Sequence, residues 1–129
     1  MTKMKSAFIG SLDAVDALSF LGSVVLVGTG KNPTTGWSNW FEPERQEDHY
    51  AFKQEAPSEP AADVIMPFLI MNIFPLRKGV DKVYVRQNVG GKETEIEIPV
   101  RLASIIETSA LKSFIHGPGP IEGVPTLKN

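Results

Sequence analysis

The feature that most constrains the fold is an alternating stretch, residues 82–98, interrupted by two adjacent glycines. On both sides of the glycines, apolar β-branched residues alternate with charged or polar ones. A period of two is typical of strands with one buried face, and the Asn-Val-Gly-Gly break at residues 88–91 has the composition of a tight turn. The sequence therefore predicts an antiparallel hairpin in which residues 82–87 pair with residues 93–98.

Further strands are predicted from local composition. Residues 23–27 (SVVLV) are mostly β-branched, like a strand covered on both faces, and residues 49–55 alternate loosely, which indicates a half-exposed strand. Residues 64–74 (VIMPFLIMNIF) are the most apolar run, and we predict that they form the central and most buried strand. Pro67 has no N–H to donate, so it marks a bulge or an edge within that run.

Helical spacing occurs only near the two ends of the chain. Residues 11–21 fit a strand or a helix, and their apolar residues at every third position favour a short helix. Residues 101–115 fit a helical period, with two short strands as the alternative. Connections are predicted at residues 30–40, 41–48 and 56–63, and an irregular Gly/Pro-rich tail at residues 117–129.

Strand signals dominate the middle of the chain, which predicts the mainly β class. We expect one antiparallel β-sandwich or a small barrel, with one or two short helices near the termini. The length of 129 residues fits a single domain, residues 1–129.

Composition excludes several functions. A net charge of -2 gives no electrostatic footprint for nucleic acid. The absence of cysteine excludes disulfides, thiolate metal sites and a cysteine nucleophile, and favours the cytoplasm. Asp13 and Asp16 interrupt the N-terminal apolar stretch, which argues against a signal peptide, and no apolar run is long enough to span a membrane.

No complete catalytic, nucleotide-binding or metal motif is present. The Gly-Thr-Gly-Lys after the first long apolar run lacks the leading glycine and the hydroxyl of a phosphate loop. His49 and His116 have no partners at metal-ligand spacing, and we interpret them as surface histidines. A row of carboxylates, Glu93, Glu95 and Glu97, could bind a cation or act as acid and base, but the solvated face of an edge strand is the preferred interpretation. We therefore expect no catalytic residue, no metal and no cofactor.

Residues 32–40 (NPTTGWSNW) resemble the Asn-Pro-Thr-Thr-Gly-aromatic loop of the chagasin-type inhibitors of papain-like cysteine proteases. That resemblance implies an immunoglobulin-like β-sandwich whose loop enters a protease cleft, assisted by a second, Gly-rich loop similar to residues 89–98. The family's third loop carries Arg-Pro-aromatic, and no Arg-Pro occurs in this sequence. The partner-binding residues that the resemblance implies are Asn32, Pro33, Thr34, Thr35, Gly36, Trp37, Gly90 and Gly91.

Two functions stay open beside a purely structural loop, in which Pro33 and Gly36 would shape the turn. The first is a non-enzymatic protein that binds a partner, such as a papain-like protease, through loops at one end of the fold. The second is a small-ligand carrier or enzyme with a pocket inside a small barrel, using the glutamate row or His49. The exposure of Trp37 separates them, because an exposed tryptophan on an ordered loop favours a partner and one buried over a cavity favours a carrier.

Overall fold

A curled sheet forms a half-barrel, here called the barrel, in the computed structural model, which describes residues 7–59 and 62–116. This confirms the mainly β class; the tail predicted at residues 117–129 lies outside the described residues. The elements are β1 (Phe8–Ile9), β2 (Ala14–Phe20), β3 (Ser23–Asn32), β4 (Ser38–Pro43), β5 (His49–Glu55), β6 (Met66–Pro75), β7 (Lys82–Val89), β8 (Lys92–Leu102) and α1 (Ile105–His116).

The strands follow one another around the barrel in the order β4-β5-β7-β8-β2-β3-β6, with β1 beside the end of β5. The pairs β5–β7 and β2–β8 are parallel, and the other neighbours are antiparallel. The first and last strands of this order, β4 and β6, meet at a seam. The Phe41 N–H donates to Asn72 Oδ1 across it over 2.8 Å, and no backbone ladder joins the two strands in the described part of the chain.

The core has an inner and an outer part. Inward-facing side chains fill the barrel, because each strand turns alternate residues to the inside. A second cluster lies on the outer face beneath α1, where Leu18, Phe20 and Val25 pack with Leu111. The fully buried members of the inner cluster are Ala17, Val24, Leu26, Phe52, Val83 and Val85.

The predicted hairpin is confirmed. β7 and β8 pair antiparallel in a register that sets Val89 opposite Lys92. Gly90 and Gly91 alone form the turn, with φ of 59° and 85°. Positive φ at both positions is the type I′ geometry that matches strand twist, and glycine adopts it without steric cost.

The prediction of a central strand at residues 64–74 is wrong. β6 is the last strand of the sheet order, and its residues are half-buried or exposed. Its inward-facing residues Phe68, Ile70 and Phe74 pack against the inner cluster, whereas Leu69 lies on the opposite face and is 68% exposed. Pro67 does mark an edge. The buried position belongs to β5, which was expected to be half-exposed and instead lies between β4 and β7.

The short helix expected at residues 11–21 is also wrong. This segment contains β2, because its backbone pairs with β3 on one side and β8 on the other. The connections predicted at residues 30–40 and 41–48 are shorter than expected, since β3 runs to Asn32 and β4 occupies Ser38–Pro43. The C-terminal helix is confirmed as α1, although β8 extends to Leu102 before it.

Candidate functional site

Three segments that are distant in sequence meet at one end of the barrel: residues 33–37, 62–65 and 90–91, which we call the loop end. Ser38 pairs with Glu55, so the 33–37 turn lies beside the end of β5. Because β5 and β7 run parallel, the β7–β8 turn lies at that end too. The Thr35 N–H donates to the Ala62 carbonyl over 3.2 Å and joins the first two segments. The fold thus brings together the two glycine-containing loops that the sequence singled out.

The 33–37 turn is braced by its own side chains. The Trp37 indole N–H donates to Thr34 Oγ1 over 2.9 Å, and that hydroxyl donates to the Thr35 carbonyl over 3.1 Å. Gly36 has a φ of 87°, in the region that glycine adopts and β-branched residues avoid. Pro33 fixes a further φ angle before it. The backbone of the turn is therefore held in one shape.

A buried amide cluster, formed by Asn32, Asn39 and Gln54, lies under this turn. Asn32 and Asn39 exchange two hydrogen bonds of 3.2 and 2.9 Å, and Gln54 Nε2 donates to Asn39 Oδ1 over 2.8 Å. Asn32 is 4% exposed and Gln54 is 7% exposed, so these amides satisfy one another in place of water. Asn32 therefore holds the base of the turn and does not face outward.

The amide cluster requires a glycine at position 10, directly after β1. A Cβ placed on Gly10 would collide with the Gln54 side chain, so a larger residue would have to displace Gln54 from the cluster. The Gly10 backbone also joins two strands, since its N–H donates to the Phe52 carbonyl and its carbonyl accepts from the Asn88 N–H. The cluster is thus enclosed between β4, β5 and the segment that follows β1.

Trp37 is half-buried. Its ring meets Phe8 edge to face, with centroids 5.9 Å apart and an interplanar angle of 89°. The exposure of Trp37, which was expected to distinguish a partner-binding loop from a ligand carrier, is therefore intermediate. Trp40 lies on β4 and donates its indole N–H to Glu42 over 3.1 Å. Both indole N–H groups are satisfied within the chain, which leaves the ring surfaces for contacts.

Exposed apolar side chains surround the turn, and we call them the apolar rim. Sequence analysis missed Val64, Ile65 and Met66 because residues 64–74 were assigned to a buried strand. A cluster of exposed apolar side chains is typical of surfaces that bind other molecules. The rim consists of Phe8 (44% exposed), Val64 (52%), Ile65 (67%), Met66 (41%) and Val89 (53%).

Gly90 and Gly91 form the exposed tip of the hairpin. The Gly91 N–H donates to Asn88 Oδ1 over 2.9 Å, which holds the turn. These glycines expose backbone and carry no side chain.

The glutamate row and His49 are engaged in contacts of their own. Glu93 pairs with Arg86 at 2.7 Å, and Glu97 lies 3.6 Å from Lys82. Glu95 lies 3.5 Å from His49 Nε2. His49, expected at the surface, has a half-buried ring stacked on Tyr84 with centroids 4.6 Å apart.

No group of three His, Cys, Asp or Glu side chains within residues 7–59 and 62–116 could hold a metal ion. Over the same residues, no helix is long and apolar enough to cross a membrane.

The inner cluster occupies the place where a carrier would need its pocket. A cavity of about 300 Å³ opens instead at the opposite end of the barrel, beside the connection from β4 to β5. Trp37 does not line it. Comparisons with protein-family models, with curated proteins and with solved structures give no match to this chain.

Proposed function

We propose that this chain is a non-enzymatic β-domain that binds a protein partner through the loop end. The observation that carries this proposal is the contrast between the braced 33–37 turn and the exposed apolar rim around it. A turn that is already held in one shape loses little conformational entropy on binding. The rim supplies apolar area that a partner would remove from water.

The partner that we propose is a papain-like cysteine protease. The resemblance of residues 32–37 to the wedge of the chagasin-type inhibitors supports it, as does the position of Gly90 and Gly91 at the same end. Pro33 and Gly36 are exposed on the turn, while Thr34 and Thr35 are half-buried. Residues 62–65 would stand in for the Arg-Pro-aromatic loop that the sequence lacks.

Inhibition of papain tests the protease class. We expect the wild type to inhibit with a dissociation constant below about 1 μM, because a preorganised interface of standard size binds more tightly than that. Thr35→Arg should abolish inhibition and leave the melting temperature unchanged. Ser109→Arg, which adds the same charge on the exposed face of α1, should inhibit like the wild type. Absence of inhibition by the wild type would show that the protease class is wrong.

A paired pull-down tests the loop end independently of papain. A bound protein should be retained by the wild type and by Ser109→Arg, and lost with Thr35→Arg and with Ile65→Asp, since a charge in the apolar rim would have to be desolvated on binding. Retention of the same proteins by all four forms would contradict binding at the loop end.

A further inference from the structure

The cavity lies at the end of the barrel opposite the loop end, and we call this the cavity end. Its lining comes from Pro43, from residues 44–50 and from Phe74, Pro75 and Arg77. The rings of Tyr50 and Phe74 lie against each other, with centroids 4.7 Å apart. Rings and prolines are flat, apolar surfaces on which another ring packs well. The apolar part of the cavity wall therefore offers a surface for a planar group.

The Tyr50 hydroxyl at this cavity has no hydrogen-bond partner among the described residues. Tyr50 is 5% exposed, and no residue of the described chain forms a hydrogen bond with its hydroxyl. Buried polar groups in folded proteins are nearly always paired. Burial, and secondarily the Asp48 carboxylate, raises the pKa of Tyr50 above 10.0. The hydroxyl therefore keeps its proton and is available as a donor.

The charges around the cavity leave one cation unpaired. Glu44 pairs with Arg86, and both Glu47 and Asp48 pair with Arg77. Each of these acids therefore has a cationic partner within the chain, although Glu47 and Asp48 share Arg77, and Glu44 shares Arg86 with Glu93. Among the cations that line the cavity, Arg45 is exposed and has no ion pair with a described residue. A ligand with a negative charge would complement it.

We propose that the cavity binds a single-ring aromatic acid that carries a hydrogen-bond acceptor on the ring. The ring packs with Tyr50, Phe74 and the prolines, the acceptor accepts a hydrogen bond from the Tyr50 hydroxyl, and the carboxylate faces Arg45. A volume of about 300 Å³ is at the lower limit of small-molecule sites, so one ring fits and a dinucleotide does not. This site is separate from the loop end and goes beyond the proposed function.

Three probes distinguish the contribution of each contact, because two of them each lack one functional group of the first. 4-Hydroxybenzoate carries both the acceptor and the charge, benzoate lacks the acceptor, and 4-hydroxybenzamide lacks the charge. Titration followed by amide chemical shifts should give saturable binding of 4-hydroxybenzoate with a dissociation constant below about 1 mM. The shifts should map to residues 43–50 and 74–77.

Variants assign each contact. Tyr50→Phe should weaken 4-hydroxybenzoate about tenfold and leave benzoate unchanged. Arg45→Gln should weaken 4-hydroxybenzoate about tenfold and leave 4-hydroxybenzamide unchanged. Lys92→Gln, the same charge change at the exposed start of β8, should change nothing.

The melting temperature of the unliganded protein is a second test. Because the Tyr50 hydroxyl has no partner in the described part of the chain, Tyr50→Phe should leave the melting temperature unchanged or raise it. A lowered melting temperature would show that the hydroxyl is already paired and would overturn the proposal. So would the absence of saturable shifts at about 10 mM probe, or equal binding of 4-hydroxybenzoate by all variants.

Discussion

The two ends of the barrel distribute polar and apolar groups in opposite ways. At the loop end the polar groups are inside, where Asn32, Asn39 and Gln54 bond to one another, and the apolar rim faces water. At the cavity end the aromatic rings face inward, and ion pairs stand around the opening. One end is thus held by buried hydrogen bonds and the other by partly exposed charges. Since a buried unpaired polar group is far more costly than a lost surface ion pair, the two ends should respond differently to mutation.

The largest effect should come from the amide cluster. Asn39→Ala removes three hydrogen bonds and leaves the buried Asn32 and Gln54 amides without their partner. We expect the free energy of unfolding in urea to fall by about 2–4 kcal/mol. The matched change at the cavity end, Glu44→Gln, should lower it by less than about 1 kcal/mol, because the pair with Arg86 is partly exposed. Equal losses would contradict the comparison.

A smaller effect is expected where both ends use the same backbone geometry. Gly36 at the loop end and Gly79 at the cavity end both have a φ of 87°. Replacing either with alanine should cost about 1–2 kcal/mol, mostly as backbone strain, measured by urea unfolding. Only Gly36→Ala should also weaken partner binding. If Gly79→Ala weakens it equally, the loop end is not the binding surface.

The smallest effect is a loss of stability at low pH, and it should arise at the cavity end. β8 ends there, and α1 begins in a capping box in which the Glu107 N–H donates to Ser104 Oγ and the Ser104 N–H donates to Glu107 Oε1. The Arg101 guanidinium, and then the Ser104 N–H, lowers the pKa of Glu107 from 4.5 to about 2. The folded-state pKa is the lower one, so this stabilisation is complete above pH 4.5 and is lost as the pH falls toward 2.

Melting temperatures measured between pH 7 and pH 2 test this assignment. Glu107→Gln should lower the melting temperature at pH 7 and reduce its dependence on pH below 4.5. Asn39→Ala, which removes no charge, should keep the wild-type dependence on pH. An unchanged pH profile for Glu107→Gln would show that the capping carboxylate does not contribute.

Sequence reasoning succeeded where the pattern was local. The β7–β8 hairpin follows from alternation around two glycines, and the turn at residues 33–37 follows from Pro33 and Gly36. It failed for β2, whose apolar spacing fits a helix but whose backbone pairs with β3 and β8. It failed again for β6, because an apolar run does not tell whether both edges of a strand are covered.

The candidate site could be predicted only in part. Residues 33–37 and the two hairpin glycines were identified from their composition, and the fold places them at one end. The amide cluster could not be found, since its members meet only through the register of β4 against β5. One signal was present and not used: Asn72 is a single polar residue within an apolar run, and its side chain accepts the hydrogen bond that crosses the seam.

When the barrel fluctuates, it should open at the seam. Elsewhere around the sheet, neighbouring strands are joined by ladders that must break together, whereas β4 and β6 are joined by one side-chain hydrogen bond. Regions with few backbone bonds open at lower free energy than the rest of a fold. We therefore expect the Phe41 amide to exchange its hydrogen with solvent far sooner than the amides of β7. Both ends would take part in this motion, because β4 carries Asn39 of the amide cluster and Pro43 of the cavity on a single strand.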